Sequence, residues 1–523
     1  MNFAKYGIVN AKKYPDKEFL IERAPSKNLR RVLTWKEFNE ETNKVANYLQ
    51  KKLGVQKGDF VMHLQMNSLE WIVTFHAILR VGAVAVPLNY RFASADIKYV
   101  ADACTPEVLI LGDGFLPKIQ PIQKEMESIQ SYICIGSDVP VDMIPYAEVI
   151  SGNDTDDILV EVDRDDPAEL MFTSGTTGPP KPVCQAHDTL YQVGIGCALT
   201  YNMGHETVFF APHPFYHSGS FFIGFPAYLA GGKMVIQLEL NEPHYLLDAI
   251  AEEKVNAGWV TVPTMSDTVN AIKKGKVDIS KYDFSHVTGS IVIGAQPVPF
   301  SLYEDMKKYF PFKTGNIYGI TEGGGGGTIN LYDEDVMLRH GSIGKATFNM
   351  EARAVDENGK DVPVGAVGEL VLRGSRIMKE YFKNQEMTAQ AIKDGWLYTG
   401  DLVTIDKDGF IYIADRKKDL IIRGGENIFP AEIEDVLRRN SKIADAAVIG
   451  YPHERLVEIA MAIVQLYPGE TMTQEEVIEF CAQQGLAKYK WPEKVVFENV
   501  MRNVTGKIDK PSMREKYIPG TAS

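Results

Sequence analysis

Cysteine is scarce and unpatterned in this chain. The five residues, Cys104, Cys134, Cys184, Cys197 and Cys481, are scattered over 523 positions. They make no CxxC pair and no metal-ligand spacing, so a zinc module or a disulfide framework is not read here. An odd, dispersed set points to a reducing compartment in which cysteines pack as small core residues. Long apolar runs are also missing. The most apolar stretch, Trp71–Leu88, contains His76 and Arg80 and breaks at Gly82 and Pro87, which makes it a poor membrane span. The first residues carry Lys5, Lys12 and Lys13 without a sustained apolar segment, so no secretory leader is read there. Positive charge is in deficit, with 55 Lys and Arg against 69 Asp and Glu, a formal net charge of −14. That argues against a general nucleic-acid or anionic-membrane surface. Anionic ligands would need locally concentrated cations. No internal repeat is visible. A cytoplasmic enzyme is the resulting expectation.

What is present is the balance of a globular protein, 45% hydrophobic and 24% charged, at a length that calls for two or more domains. Thr34 to Leu53 reads as a helix, with Thr34 and Glu37 as a capping box and Phe38, Thr42, Val45, Leu49 and Leu53 at helical spacing before Gly54. Phe60 to Met66 reads as a strand, Ser68 as the cap of a second helix running to Val81, and Val84 to Pro87 as the next strand. Strand, helix and strand with short joins imply a βαβ unit and a parallel sheet. Further strands are expected at Cys104 to Leu111 and Tyr132 to Ile135, and an exposed acidic loop at Ser151 to Asp166. From Pro430 the pattern is that of a compact α+β domain, with strands at Ala446 to Ile449 and Ile459 to Leu466 and a helix at Thr473 to Gln484.

The most informative stretch is Thr173–Lys181, TSGTTGPPK, entered from the apolar run Leu170, Met171, Phe172. Gly175 and Gly178 can let backbone N–H groups converge on an anion. Thr173, Ser174, Thr176 and Thr177 add hydroxyls, and Lys181 a compact positive charge. The chemistry suits a polyphosphate, but it is not a Walker A loop, because no Ser or Thr follows the lysine and the glycine spacing differs. Downstream, NIYGITE at Asn316 to Glu322 offers a flat ring for a base, a hydroxyl, and a carboxylate of the kind Mg²⁺ takes beside phosphates. Gly323 to Gly327 is a run of five glycines, either a flexible loop or a place where side chains were removed to leave room for ligand.

The loop at Thr173–Lys181 resembles the signature of the adenylate-forming superfamily, which holds acyl-CoA synthetases, the adenylation domains of peptide synthetases, and luciferases. Other stretches repeat the likeness over nearly the whole chain, and it is most like an AMP-forming acyl-CoA synthetase. The resemblance implies an α/β fold. A large N-terminal domain of parallel βαβ sheets plus a small β-barrel would span residues 1–416, and a smaller mobile α+β domain residues 417–523. It implies that Thr173, Ser174, Gly175, Thr176, Thr177, Gly178 and Lys181 hold the phosphates of ATP. Ala295, Gln296 and Pro297 would lie against the adenine, Tyr318 would stack on it, and Thr321 and Glu322 would serve nucleotide and Mg²⁺. Asp401 in YTGDL and Arg416 in DRKKD become ribose or phosphate contacts, and Lys418 the hinge of the C-terminal domain. Gly424 and Gly425 would line the path of coenzyme A. Lys507 in NVTGKIDK would be the catalytic lysine, with His217, Thr321 and Glu322 beside it in function. The acyl pocket would draw on His217, Ser218, Phe221, Gly294, Ile317 and Gly319. A lone histidine such as His217, or an Asp after a Gly such as Asp401, is ordinarily a core or turn residue; here the motif carries the assignment.

The chain departs from the family pattern at Pro182, Gln296 and Ile317, each where a glycine or small residue is usual. A branched Ile317 would shorten or redirect the acyl pocket, which favours a short, medium, alicyclic or aromatic acid over a long-chain one. The partners implied are therefore a small carboxylic acid, ATP and CoA, with no nucleic acid and no membrane span; homo-oligomerisation is left open. A stand-alone adenylation enzyme loading a carrier protein uses the same motifs, and no carrier segment follows Ser523. A luciferase-like oxygenase and a non-catalytic nucleotide-binding protein on the same fold are the remaining alternatives.

Overall fold

The computed structural model describes the whole chain except residues 153, 174–179, 295–297, 331–337, 340, 425, 504–506 and 519–523, and the side chain of Asn330. Contacts divide it into two units of mixed α/β structure. The larger comprises Met1–Ser174, Pro180–Ala352 and Leu372–Leu397; the smaller contains Arg353–Val371 and Tyr398–Ser523.

In the larger unit the N-terminal periodicities are realised. Thr34 caps the helix Trp35–Asn47, accepting from the Glu37 N–H while the Glu37 carboxylate accepts from the Thr34 N–H. The helix ends in a widened turn, Tyr48–Lys52. Ser68 caps Leu69–Arg80 through the Trp71 N–H. The flanking strands Phe60–Leu64 and Val84–Pro87 pair in parallel, as a βαβ unit requires. They lie inside an eight-stranded sheet ordered Glu380–Tyr381, Lys181–Ala186, Pro167–Thr173, Val84–Pro87, Phe60–Leu64, Val108–Gly112, Ser131–Ile135, Ile144–Pro145. The strand expected from Cys104 begins later, at Val108. Cys104 instead closes the helix Ser94–Cys104, whose buried Ile97, Val100, Ala101 and Cys104 follow helical spacing, and Thr105 in the left-handed region (φ 49°) stops it.

A second sheet of the same unit has a parallel centre. Lys313–Tyr318, Ser290–Gly294, Ala257–Thr261, Val208–Ala211, Lys233–Gln237 and Glu18–Ala24 follow one another across it. The strand Ala257–Thr261 lies between helices His244–Glu252 and Val262–Lys273 in sequence. Gly294 and Tyr318 end two of these parallel strands, and the C-terminal ends of strands are the usual location of ligands in open α/β sheets.

The smaller unit holds the hairpin in which Asp401–Ile405 pairs with Ile411–Arg416, then a five-stranded sheet. Pro430 opens the helix Pro430–Leu437, where its missing N–H costs nothing. That helix and Gln474–Gln483 cover one sheet face with Ile433, Leu437, Val477 and Cys481. The last helix, Lys510–Tyr517, covers the other through Met513. All five cysteines are buried and unbridged. Among the described residues no helix is long and apolar enough to cross a membrane.

Candidate active site

In the larger unit, Thr173 ends one strand and Lys181 begins the next. The two residues are antiparallel partners that close the base of the signature loop. Residues Ser174, Gly175, Thr176, Thr177 and Gly178 of that loop lie outside the described residues, as do Ala295, Gln296, Pro297 and Gly425. The Lys181 ammonium lies 5.6 Å from the centroid of the Tyr381 ring. The Tyr381 hydroxyl donates to Oε1 of Glu322 at 2.7 Å. Burial, and then the Glu322 charge, push the Tyr381 phenol up, so it keeps its proton. One aromatic side chain thus touches both the signature cation and the carboxylate of the second motif.

Tyr381 reaches this place because the short strand Glu380–Tyr381 pairs with Val183 and Cys184, two and three residues beyond Lys181. The Glu322 backbone is fixed as well, its carbonyl accepting from the Met378 N–H at 2.7 Å. The neighbouring Thr321 is held twice: its carbonyl accepts from Gln185 Nε2 at 2.8 Å, and its hydroxyl lies 3.1 Å from that of Ser218. Ser218 opens a one-turn helix, Ser218–Phe221, whose first carbonyl, that of His217, accepts from the Ser220 and Phe221 N–H groups. Asn67 fastens the loop before it, donating to the His213 carbonyl and accepting from the Phe215 N–H. His213 itself is pushed down to about 3 by burial and the nearby His217, so it is neutral, and Nε2 accepts from the Thr261 N–H. Phe221 is in the aromatic core, against Trp71 and Phe75.

The glycine run is a buried, close-packed turn and no exposed flexible loop. Gly324 and Gly325 take φ of 71° and 79°, a region that glycine enters without strain. A Cβ on Gly319 would meet the Gly325 carbonyl oxygen at 2.2 Å, so the two backbones touch. Ile317 is 7% exposed and wedged between two bare positions. A Cβ on Gly294 would lie 2.9 Å from its Cγ2, and one on Gly326 2.9 Å from its Cδ1.

The remaining expected residues belong to the smaller unit. Asp401 and Arg416 face each other across the hairpin, with Nε 3.2 Å from Oδ1. Asp415 accepts from the backbone N–H groups of Arg416 and Ala431; burial still pushes it up to about 6. Burial, and then the Arg416 charge, bring Lys418 down to about 8. Gly424 takes φ of 59° at the turn between the strands Ile421–Arg423 and Glu426–Ile428. Lys507 is exposed; its N–H donates to Asn503 Oδ1 and its carbonyl accepts from the Asn503 N–H.

Tyr381, Gln185, His213 and Asn67 were not legible as site residues. Tyr381 is separated from Lys181 by a chain length that no local pattern spans.

Among the described residues no group of three His, Cys, Asp or Glu forms a metal cage. Glu322 is a single carboxylate with one oxygen engaged by Tyr381. That fits Mg²⁺, which takes one or two protein carboxylates and completes its shell with phosphate and water.

The family model described as AMP-binding enzyme matches residues 9–382, and that of the AMP-binding enzyme C-terminal domain matches 432–507. The chain is 32% identical over 498 residues to a long-chain-fatty-acid–CoA ligase of Mycobacterium tuberculosis, covering 94% of each. It is 30% identical over 527 residues to a medium-chain fatty-acid–CoA ligase of Escherichia coli, covering 99% of this chain and 90% of the other. Among solved structures, the o-succinylbenzoate CoA synthetase of Bacillus subtilis in complex with its acyl-adenylate intermediate is similar. It has a TM-score of 0.84 and 25% identity, over 98% of both chains.

Proposed function

The chain belongs to the AMP-binding enzyme family as an AMP-forming acyl-CoA ligase, and on that premise we propose how its side chains carry out a two-step ligation. The single observation that carries the reading is the Lys181–Tyr381–Glu322 constellation, a cation and a carboxylate fixed on one ring beside the signature loop.

A carboxylate is a poor acyl donor, because oxide would have to leave. Its oxygen attacks the α-phosphorus of ATP, the bond to the bridging oxygen breaks, and pyrophosphate departs. The sulfur of CoA then attacks the acyl carbon and AMP leaves. The difficulty in the first step is an anion approaching a polyanion, so positioning and charge neutralisation dominate. Lys181 and the signature loop hold the β- and γ-phosphates. Glu322 would hold Mg²⁺, which supplies charge neutralisation at the phosphates. Tyr318 stacks on the adenine, Asp401 and Arg416 take the ribose and phosphate, and Lys507 bridges the substrate carboxylate and the α-phosphate.

We place the functional division at residues 1–416 and 417–523, with Lys418 as the hinge. Rotation there would withdraw Lys507 and bring Gly424 and Gly425 to the acyl-adenylate. His217, Ser218, Phe221, Gly294, Ile317 and Gly319 form the acyl pocket. The packing of Ile317 between Gly294 and Gly326 supports a short, medium, alicyclic or aromatic acid.

The deciding experiment is pyrophosphate release from ATP with a panel of carboxylic acids, each with and without CoA. Release that requires one acid class and turns over only with CoA is the expected result. Acid-dependent release that CoA fails to accelerate would point to a carrier-protein acceptor. Tight ATP binding with no release for any acid would overturn the catalytic reading.

A further inference from the structure

The helix Lys510–Tyr517 begins three residues after Lys507 and carries two cations one turn apart, Lys510 and Arg514. Each meets a carboxylate of the same smaller unit. Lys510 Nζ lies 2.8 Å from Oε1 of Glu434, and Arg514 Nη2 donates to Oδ1 of Asp419 at 2.8 Å. Lys510, Glu434 and Asp419 are buried and Arg514 is half-buried. The two carboxylates are themselves fixed. Oε1 of Glu434 also accepts from the Val448 N–H, in the middle of the strand Ile443–His453. Asp419 ends the tight turn Lys417–Asp419 and directly follows Lys418.

The path from these pairs to Lys507 is short and bonded throughout. Asp509 caps the helix, its carboxylate accepting from the Ser512 N–H and hydroxyl. The Asp509 N–H donates to the Met501 carbonyl at 2.9 Å, Arg502 and Ile508 are bridge partners, and the Asn503 N–H donates to the Lys507 carbonyl. Lys507 is thus at the exposed end of a narrow hairpin whose second arm runs straight into the helix. Buried ion pairs are a poor source of stability, because desolvation offsets their attraction, and apolar side chains of similar volume would hold the helix as firmly. What charges add is register. Apolar contact such as that of Met513 is non-directional, whereas two ion pairs at i and i+4 fix both the rotation of the helix and its position along its axis. On the role proposed above for Lys507, we propose that Lys510 and Arg514 are positioning residues for adenylate formation. Through Glu434 and Asp419 they set the helix, and with it the hairpin, where the Lys507 ammonium bridges the substrate carboxylate and the α-phosphate.

The test measures the two half-reactions separately in Lys510→Met, Arg514→Met and Arg514→Lys, with Lys507→Ala alongside. Pyrophosphate release reads adenylate formation, and CoA consumption from supplied acyl-adenylate reads thioester formation. A displacement of about 1 Å costs about 100-fold in rate, so each Met variant should lose about 10–100-fold in kcat for adenylate formation while thioester formation changes by less than about twofold. Arg514→Lys keeps the charge and should recover part of the loss. Equal losses in both half-reactions, or no loss in either Met variant, overturn the proposal. Hydrogen exchange of the wild-type chain needs no variant. The amides of residues 513–518 should be protected together with those of the helix Pro430–Leu437, and unprotected amides there overturn the fixed register. Lys507→Ala separates this proposal from its premise. If that variant leaves adenylate formation intact, the role of Lys507 falls and the positioning with it. If it abolishes that step while both Met variants match wild type, only the positioning falls.

Discussion

At the scale of single residues, the site depends on a side chain that neither motif contains. Tyr381 holds Glu322 by its hydroxyl and faces Lys181 with its ring. Tyr381→Phe keeps the ring and removes a hydrogen bond to a charged acceptor, an interaction worth about 1.5–3 kcal/mol. The expected result is a rise of about 3–10-fold in the Mg²⁺ concentration giving half-maximal pyrophosphate release, with the melting temperature little changed. A Mg²⁺ titration of both proteins checks it, and superimposable curves would refute the role given to the hydroxyl. Lys507 acts in only one of the two half-reactions on the proposed mechanism. Lys507→Ala should lower adenylate formation by at least about 100-fold, yet spare thioester formation from supplied acyl-adenylate. Equal losses in both half-reactions would rule out two alternating conformations. Lys181, Glu322 and Lys507 could be singled out as candidates because their motifs are local. Tyr381 and Gln185 were not, because strand pairing brings them in across long stretches of chain.

At the scale of elements, the strand Lys313–Tyr318 and the glycine turn after it act as one wall. The strand delivers Ile317 to the gap between Gly294 and Gly326, and the glycines let the backbones approach until they touch. On the proposed pocket assignment, Ile317 would be the gate on acyl length. Wild-type protein should turn over small acids better than hexadecanoate. Ile317→Ala should raise kcat/KM for dodecanoate relative to hexanoate by at least about tenfold, the lower end of what one methylene is worth in an apolar pocket. It should also lose roughly 2–5 kcal/mol of stability from the vacated volume. An unchanged chain-length profile in the folded variant would place the gate elsewhere. The glycine run had two readings in sequence, a loose loop or a cleared space. Its burial and positive φ angles rule out the first. Helix ends fared differently. Thr34 and Ser68 were readable as caps because capping is decided within four residues.

At the scale of the molecule, the two units each have their own hydrophobic clusters, with Ile433, Leu437, Val477 and Cys481 central to the smaller. Two-state unfolding is then not expected. The chain has five tryptophans. Trp491 belongs to the smaller unit, where its indole N–H donates to the Leu486 carbonyl; Trp35, Trp71, Trp259 and Trp396 belong to the larger. Urea unfolding followed by tryptophan fluorescence should show two transitions, and Trp491→Phe should silence one. A single transition, identical in both proteins, would mean that the units unfold together. The sequence by itself determined the fold class, the family and the local motifs, because periodicity, capping and a nine-residue signature motif are short-range properties that survive reading in one dimension. Only the tertiary structure decided that Tyr381 joins Lys181 to Glu322, that Ile317 is wedged between glycines, and that Arg376 is buried with no carboxylate partner among the described residues. Those are properties of distance and solvent exclusion between residues far apart in the chain, and they exist only once the sheets have been assembled.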